Sequence, residues 1–271
     1  MIEKGDEKLI SEMKREALQS LKGKWGLGVG STILYGILSY IVSLVATLIV
    51  IIPFVLVFMS LGSSINLFEE ETATIGFIVT FVIFYVLMIL VNLGTYGITA
   101  YGYTNVFLNI SRRQGATIDA LFEGFRGFKR MMNAAKAMLL ISLYSGIWIP
   151  FVLMIIVGLL GDETRGAGEG SAIAFFVLLF ISFIVMIIAY FSYSMTYYVM
   201  IDNPEYGALQ AMKESKAIMK GHKMDLFLLW LSFIGWAVLA MFTLGIGFLW
   251  LCPYFTTTTA HFYQHISNKE L

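Results

Sequence analysis

The sequence predicts an all-α integral membrane protein with six transmembrane helices, arranged as three hairpins that are each preceded by a cytoplasmic amphipathic surface helix. Three observations carry this prediction: long runs without charge, an uneven distribution of basic residues, and a short glycine motif that occurs three times. They indicate one membrane domain, 1–271, with possible repeats at 1–110, 111–201 and 202–271.

The uncharged runs are long enough to cross a bilayer. Hydrophobic residues make up 58% of the chain, charged residues make up 13%, and the mean hydropathy is +0.80, whereas about 25% of residues are charged in a typical soluble protein. Runs without Asp, Glu, Lys or Arg cover 26–61, 74–110, 137–160, 171–201 and 226–260. Each reaches the about 20 residues that a membrane helix needs.

The last run is expected to hold two spans. A single helix from 226 to 266 would be about 60 Å long, twice the thickness of the hydrocarbon. TLGIG at 243–247 places Gly245 and Gly247 where the chain can reverse. Pro53 is expected to kink the first span or end it early, because proline lacks a backbone donor. The N-terminal segment is too charged to hold the apolar core of a signal peptide.

The basic residues predict the orientation. The N-terminal tail, the segments near 111–136 and 202–225, and the C-terminal tail together hold 17 of the 18 Lys and Arg residues. Because basic residues concentrate in cytoplasmic loops, both termini are expected in the cytoplasm. Arg165 is the one base left outside, with six acidic residues: Glu69, Glu70, Glu71, Asp162, Glu163 and Glu169.

Three segments have the spacing of amphipathic helices. Between 202 and 223, Asn203 is expected to cap a helix that starts at Pro204 and ends before Gly221. Such helices are expected to lie on the membrane surface. The three apolar faces are Ile10, Met13, Ala17 and Leu21; Ile118, Leu121, Phe122, Phe125 and Phe128; and Ala208, Ala211, Met212, Ser215, Ile218 and Met219.

A glycine motif follows each of these helices. LKGKW at 21–25, FRGFK at 125–129 and MKGHK at 219–223 place an apolar residue and a base before Gly23, Gly127 and Gly221. Each motif is followed by two predicted spans. This pattern favours three copies of a unit made of a surface helix and a membrane hairpin, although a basic helix end before any span has a similar sequence.

The second span of each predicted hairpin becomes polar toward its cytoplasmic end, in 92–105, 190–198 and 253–265. Two interpretations remain open. In the first, the tracts line an uncharged cavity open to the cytoplasm. In the second, Tyr lies at the interface, Ser and Thr bond their own helix, and glycines allow close packing. The cavity residues would be Tyr101, Asn105, Tyr193, Thr196, Thr257 and His261.

Three stretches carry a resemblance to a known family. LKGKWG, the segment YYVMIDNPEYGALQAMKESKAIMKGHKMDLFLLWLSFIGW and TLGIGFLWLCPYFTTTTAHFY resemble the bacterial integral membrane family of domain of unknown function 975. The resemblance covers nearly the whole chain and implies several membrane helices in a bacterial plasma membrane, with no assigned activity. The layout is also similar, more distantly, to the membrane portion of some glycerophosphodiester phosphodiesterases.

Few residues suggest chemistry. His261 and His265 are four residues apart, as two metal ligands on one helix face would be, but no third ligand is evident. Cys252 is the only cysteine, which excludes a disulfide within the chain. We expect no catalytic residue, no cofactor, no metal and no nucleic-acid partner. An intramembrane enzyme would require His261, His265 and a carboxylate such as Asp202 to lie together.

The sequence thus favours a noncatalytic multi-pass protein that binds anionic lipid head groups, or a membrane protein partner, through its basic cytoplasmic helices. The alternative is a transporter, channel or lipid-translocating protein that uses the polar cavity; the lack of charged residues within the spans disfavours an ion-coupled pump. The expected lipid contacts are Lys22, Lys24, Arg126, Lys129, Arg130, Lys213, Lys216 and Lys220.

Overall fold

The fold is helical throughout the part of the chain that the computed structural model describes, which is 4–62, 71–150, 152–154 and 169–267. One element is a 3-10 helix, at Ile118–Phe125. The α-helices are α1 (Lys4–Leu21), α2 (Trp25–Gly62), α3 (Glu71–Ser111), α4 (Phe128–Tyr144), α5 (Glu169–Tyr193), α6 (Thr196–Asp202), α7 (Ala208–Ile218), α8 (Lys223–Phe242) and α9 (Phe248–Ser267).

Four of the described helices are long and apolar enough to cross a membrane. The qualifying segments are Trp25–Ser60, Ile78–Ser111, Phe175–Asp202 and Lys223–Phe242. They correspond to the first, second, fourth and fifth predicted spans. The all-helical fold is therefore confirmed among the described residues, and the four candidate spans are consistent with a membrane protein, whereas the count of six spans stays a prediction.

The other two predicted spans differ from simple apolar helices. The third, at 137–160, is interrupted because α4 ends at Tyr144 and Gly146 lies in a turn with φ +67°. Residues 151 and 155–160 of this span lie outside the described residues, as do the predicted outer residues Glu69, Glu70, Asp162, Glu163 and Arg165 and the C-terminal Lys269. The sixth, α9, is not among the four apolar candidates.

Two turn predictions have different outcomes. α8 ends at Phe242 and α9 begins at Phe248, so the predicted reversal at 243–247 is confirmed, with Gly245 at φ +87°. Pro53 was predicted to kink the first span or end it early; it does not end the span, because α2 continues through it to Gly62, and the kink stays a prediction. Proline inside a membrane helix is tolerated when neighbouring groups satisfy the freed backbone.

The carboxyl ends of α3, α6 and α9 meet at one end of the bundle, which we call the basic end. Arg112, just after α3, binds Asp202 at the end of α6 through two bonds of 2.7 Å. Tyr263 of α9 donates a hydrogen bond of 2.9 Å to the same carboxylate. The first residues of α2 lie there as well, because Lys24 donates a hydrogen bond of 3.3 Å to the carbonyl of Gln114.

Close packing at the basic end depends on glycine. A Cβ on Gly102 of α3 would lie 1.8 Å from the carbonyl oxygen of Leu121, and one on Gly124 would lie 2.1 Å from that of Ile98. The 3-10 helix therefore lies directly on α3, backbone against backbone. A Cβ on Gly97 would meet the carbonyl oxygen of Ala134 at 2.6 Å, so α4 also packs closely on α3.

The surface helices are covered by protein on their apolar faces. Met13, Ala17 and Leu21 of α1 are buried, as are Ala211 and Ser215 of α7. The faces expected to meet lipid therefore contact other helices: α1 packs against α9, and α7 packs against α4, α5 and α6. The physical reason is that a packed protein surface buries an apolar helix face as well as a membrane does.

Each short helix packs on a long helix that precedes it or, for α1, on the last helix. The 3-10 helix packs on α3. On α7, Ser215 Oγ donates a hydrogen bond of 3.1 Å to the carbonyl of Ser192 and accepts one of 3.2 Å from the N–H of Met195. On α1, Ser20 Oγ and His261 Nε2 of α9 are 3.0 Å apart.

The bounds of two surface helices differ from the prediction. α7 begins at Ala208 instead of Pro204. Asn203 does not cap it, because its Nδ2 donates a hydrogen bond of 3.1 Å to the carbonyl of Val199 and so ends α6. The segment 117–130 forms a 3-10 helix followed by the start of α4. Since 3-10 helices align residues three apart, Leu121 and Gly124 face α3, while Phe122 and Phe128 are exposed.

The three motif glycines share one backbone conformation. Gly23, Gly127 and Gly221 have φ of +79°, +88° and +91°, a left-handed region that favours glycine. A Cβ at any of them would have no atom within 4 Å, so the requirement is conformational rather than spatial. Each ends a short helix and is followed within two residues by α2, α4 or α8. The division into three repeats stays a prediction.

Candidate functional sites at the basic end and within the bundle

A basic pocket lies where α4 begins. It has a volume of about 230 Å³ and is lined by Arg126, Lys129, Arg130, Tyr101 and Tyr206, among others. It thus unites three of the predicted lipid contacts. Glu123 binds Arg126 at 2.5 Å and also binds Arg130, which leaves Lys129 as the base of this group without an ion pair among the described residues.

The amino end of α4 adds to the positive potential of this pocket. Gly127 precedes the helix and supplies no side-chain cap, so the first N–H groups of α4 have no side-chain acceptor there. The amino end of a helix carries a partial positive charge and attracts anions. Phe128 stands beside the pocket with 74% of its surface exposed. The pocket therefore offers donors and charge to an anion, next to an exposed aromatic ring.

A cluster of four lysines lies at the joint between α7 and α8. The lysine cluster consists of Lys213, Lys216, Lys220 and Lys223, which line one open depression with the exposed Met224. None of the ion pairs found among the described residues involves these four lysines. Three of them were predicted lipid contacts, and Lys223 was missed because the prediction ended the basic face at Gly221.

The remaining predicted contacts lie between α1 and α2. Lys22 is exposed, whereas Lys24 is half-buried and bonded to the carbonyl of Gln114. A further base of α1, Lys14, donates to the carbonyl of Ser232 at 3.0 Å and lies 4.3 Å from the ring centroid of Phe233. Burial lowers the pKa of Lys14. Lys14 therefore fastens α1 to α8, whereas Lys22 remains available to solutes.

A cavity of about 250 Å³ lies between α3, α5 and α9, and we call it the tyrosine cavity. No charged residue lines it. Its polar lining comes from hydroxyl groups, and its apolar lining includes Trp230 and Phe255. The hydroxyl-bearing residues are Tyr35, Tyr96, Tyr103, Thr104, Tyr190, Tyr193, Ser194, Tyr197, Tyr198, Thr256 and Thr259.

The three polar tracts do converge on this cavity, but mostly through residues other than those named from the sequence. Of the six expected residues, only Tyr193 lines it. Thr196 and Thr257 are fully buried and donate to the carbonyls of Tyr193 and Pro253, at 2.7 Å each. This pattern is the packing interpretation, in which Thr bonds its own helix. Helical phase decides which hydroxyls face inward, and the register of three packed helices is not evident from one sequence.

The other expected cavity residues also have partners elsewhere. Tyr101 lines the basic pocket instead. Asn105 accepts a hydrogen bond of 3.3 Å from Asn109 on the same helix. His261 contacts Ser20, and its Nδ1 lies 3.5 Å from a carboxylate oxygen of Glu16.

The tyrosine cavity opens away from the basic end. Its exposed lining residues are Tyr96, Tyr190 and Trp230, all on the side remote from the basic end. On the opposite side Tyr198 and Leu226 are buried. The expectation of an opening toward the basic, predicted cytoplasmic, side is therefore not met, because these two side chains fill that space.

A bonded cluster of Arg112, Asp202 and Tyr263 closes the basic end beneath the cavity. Tyr198 stacks on Tyr263 with ring centroids 5.1 Å apart, and Tyr263 donates to Asp202. Hydrogen bonding to Asp202 raises the pKa of Arg112 above its already high value, so the guanidinium stays charged. About a quarter of each charged side chain is exposed, 28% for Arg112 and 25% for Asp202.

The histidines and carboxylates do not assemble into a metal centre among the described residues. No group of three or more His, Cys, Asp or Glu side chains suited to a metal ion occurs there. Asp202 is bound by Arg112 and Tyr263, whereas His261 is bound by α1. The absence of a catalytic role stays a prediction.

One family model matches residues 8–270, and its description is "Protein of unknown function (DUF975)". The chain belongs to this family. No curated protein and no solved structure matches the chain. The predicted resemblance to this family is thereby confirmed over nearly the whole chain, whereas the more distant likeness to glycerophosphodiester phosphodiesterases is not shown by any match. Membership indicates a shared sequence pattern and assigns no activity.

Proposed function

We propose that this protein is a noncatalytic multi-pass protein of the bacterial plasma membrane whose basic end lies at the inner leaflet and binds anionic lipid head groups. Both termini are then cytoplasmic. The observation that carries the proposal is the lysine cluster, in which four bases share one depression and none has an acidic partner among the described residues. Each basic residue near an anionic surface contributes about 1 kcal/mol to binding.

Packing at the basic end supports the same function. The apolar faces of α1 and α7 are occupied by protein, so their charged faces are what these helices present outward. The basic pocket repeats this chemistry at the start of α4, with Arg126, Lys129 and Arg130 beside the uncapped helix end. Charge, exposed donors and a helix dipole all favour an anion at these positions.

The proposed topology has six spans in three hairpins. It counts α9 and the interrupted third span together with the four apolar candidates, and it follows from the distribution of Lys and Arg. Polar residues are compatible with a span when they face other helices instead of lipid. In α9, Thr257, Thr258 and Ala260 are buried.

The binding test uses the whole protein in vesicles that contain anionic phosphatidylglycerol. The variant with Gln at Lys213, Lys216 and Lys220 is compared with a variant that carries Arg at the same three positions. Phosphatidylglycerol that is retained after mild detergent extraction should fall in the Gln variant and persist in the Arg variant, and high salt should weaken its retention. Equal retention in all three proteins, independent of salt, would refute the head-group proposal.

The topology test uses single cysteines in a Cys252→Ser background. Cysteine at Lys216 and at a position near each terminus should react with a membrane-impermeant maleimide only after the inner face is opened. A reaction in intact cells at any of these positions would overturn the proposed orientation.

A second candidate function is movement of a neutral molecule within or across the membrane. The tyrosine cavity favours it, because residues from α3, α5 and α9 meet around an uncharged space. Helices that converge on an interior cavity are the usual site of substrate binding in membrane carriers.

A further inference from the structure

The lining of the tyrosine cavity disfavours an anionic ligand and favours an uncharged one. Apart from the indole N–H of Trp230, the polar side-chain groups that line it are hydroxyls, and no Lys, Arg, His, Asp or Glu lines it. A charged group that enters a low-dielectric interior without a partner carries a large desolvation cost. The aromatic side chains of the lining, which include Trp230 and Phe255, favour contact with the hydrocarbon part of a ligand. The occupant is therefore neutral.

The hydrogen bonds that several lining hydroxyls already donate restrict the class of ligand further. Several lining hydroxyls already donate to backbone carbonyls: Ser194 to Phe191 at 2.8 Å, Thr256 to Cys252 at 2.9 Å, Thr259 to Phe255 at 3.0 Å and Tyr197 to Ala134 at 3.2 Å. A hydroxyl that donates its one proton can still accept through its lone pairs. These four groups thus offer acceptors to a ligand that brings a donor of its own.

The position of the opening indicates the route of entry. Tyr198 and Leu226 close the cavity toward the basic end, and the exposed Tyr96 and Tyr190 border its other side. The residues of α5 before Tyr190 and those of α3 before Tyr96 are mostly exposed and apolar, as lipid-facing surfaces are. A ligand that reaches this opening comes from the bilayer, not from the solution at the basic end.

We propose that the tyrosine cavity binds the hydroxyl head of a neutral membrane lipid, such as a diacylglycerol. About 250 Å³ is below the usual range for a whole drug-sized ligand, so the cavity holds the head and the chains remain in the membrane. This inference names a ligand for the second candidate function. It does not depend on head-group binding at the basic end.

The test is photo-crosslinking in proteoliposomes with a diacylglycerol that carries a diazirine next to its free hydroxyl. Crosslinked peptides should come from 94–104, 190–198 and 255–259. Unlabelled diacylglycerol should compete, whereas its methyl ether, which lacks the donor, and phosphatidic acid, which is anionic, should not. Equal competition by the methyl ether or by phosphatidic acid, or crosslinks confined to other segments, would overturn the proposal.

Variants separate the cavity from general effects on folding. Ser194→Ala combined with Thr259→Val removes two acceptors. The concentration of unlabelled diacylglycerol needed to halve the labelling should rise by about tenfold or more, since each hydrogen bond contributes about 1 kcal/mol. Thr257→Val is the matched control: Thr257 donates to Pro253 in the same manner but is fully buried and does not line the cavity. Labelling of the double variant that equals that of the control would refute the cavity site.

A filling variant gives an independent readout. Ala100 lines the cavity, so Ala100→Trp should abolish the crosslink while retention of phosphatidylglycerol at the basic end persists. An unchanged melting temperature in detergent shows independently that the variant is folded, so loss of the crosslink is separate from any failure of head-group binding. Undiminished crosslinking in this variant would contradict the proposal.

Discussion

The two halves of α3 are built for different surroundings. Between 78 and 90 most side chains are exposed apolar groups, including Ile83 and Leu90, whereas Val106, Phe107 and Leu108 near the other end are completely buried. The buried half has Gly97 and Gly102 in backbone contact with α4 and the 3-10 helix. Hydropathy alone does not separate the halves, because apolar residues suit lipid and a protein core equally well. Gly and Ala occur at four positions within 94–102 and at none within 78–90, and this marks the difference.

The largest expected effect is the loss of close packing in the buried half of α3. Gly102→Ala places a Cβ 1.8 Å from the carbonyl oxygen of Leu121, which is backbone and has no rotamer to change. We expect folded protein to fail to accumulate, or to lose more than about 3 kcal/mol of stability. Gly76→Ala is the control in the outer half, since its Cβ would have no atom within 4 Å. Thermal unfolding in detergent measures both; similar melting temperatures would show that the halves do not differ in packing.

A pair of leucines compares the same halves without glycine. Leu108→Ala removes a fully buried side chain and should cost about 2–5 kcal/mol in the free energy of unfolding. Leu90→Ala removes a side chain that is exposed by 46% and should cost far less. Chemical unfolding of both variants in the same detergent gives the comparison. An equal loss at Leu90 would mean that the outer half has protein contacts that its exposure does not indicate.

The bonded cluster of Arg112, Asp202 and Tyr263 should contribute less to the free energy of unfolding than the buried core does. Asp202→Asn removes the charge that Arg112 and Tyr263 bind, and we expect a loss of about 1–3 kcal/mol, limited by partial exposure. Tyr263→Phe removes one hydrogen bond and should cost about 1 kcal/mol. Unfolding midpoints with and without high salt test this ranking; a larger loss for Tyr263→Phe than for Asp202→Asn would reverse it.

Effects smaller than that of Asp202→Asn are expected where the short helices meet the long ones. Alanine at Gly23, Gly127 or Gly221 must adopt a positive φ, at a cost of about 1–2 kcal/mol each. Gly26→Ala is the control, because Gly26 lies in α2 without a positive φ and alanine stabilises helices there. Similar losses at the three sites would support three equivalent units, whereas one tolerant site would weaken the repeat hypothesis.

The short helices make contacts with the long helices that the sequence does not display. Ser215 joins α7 to the helix before it, Gly124 joins the 3-10 helix to α3, and Ser20 joins α1 to α9. The last of these contacts spans 241 residues of chain. Such an arrangement brings the bases of all three units to the same end, where the proposed lipid sites lie.

Much of the candidate site was accessible to sequence reasoning, but not its register. Arg126, Lys129 and Arg130 were predicted as contacts together, and they do line one pocket. The hydroxyl tracts were also identified, yet Thr196 and Thr257 face into helix packing while Ser194 and Thr259 face the cavity. A shift of two residues turns a helical side chain by about 200°, and no local signal in these tracts specifies which side faces a neighbour.

The sequence by itself determined the membrane class, the positions of four long apolar helices, the reversal at 243–247 and the concentration of bases near the three motif glycines. These follow from local properties: hydropathy over about 20 residues, the lack of a Cβ in glycine and the charge of each side chain. Only the tertiary structure decided that the apolar faces of α1 and α7 meet protein instead of lipid, and that the cavity opens away from the basic end. Both depend on which surfaces meet across the bundle, and that choice is made by shape complementarity between segments far apart in the chain.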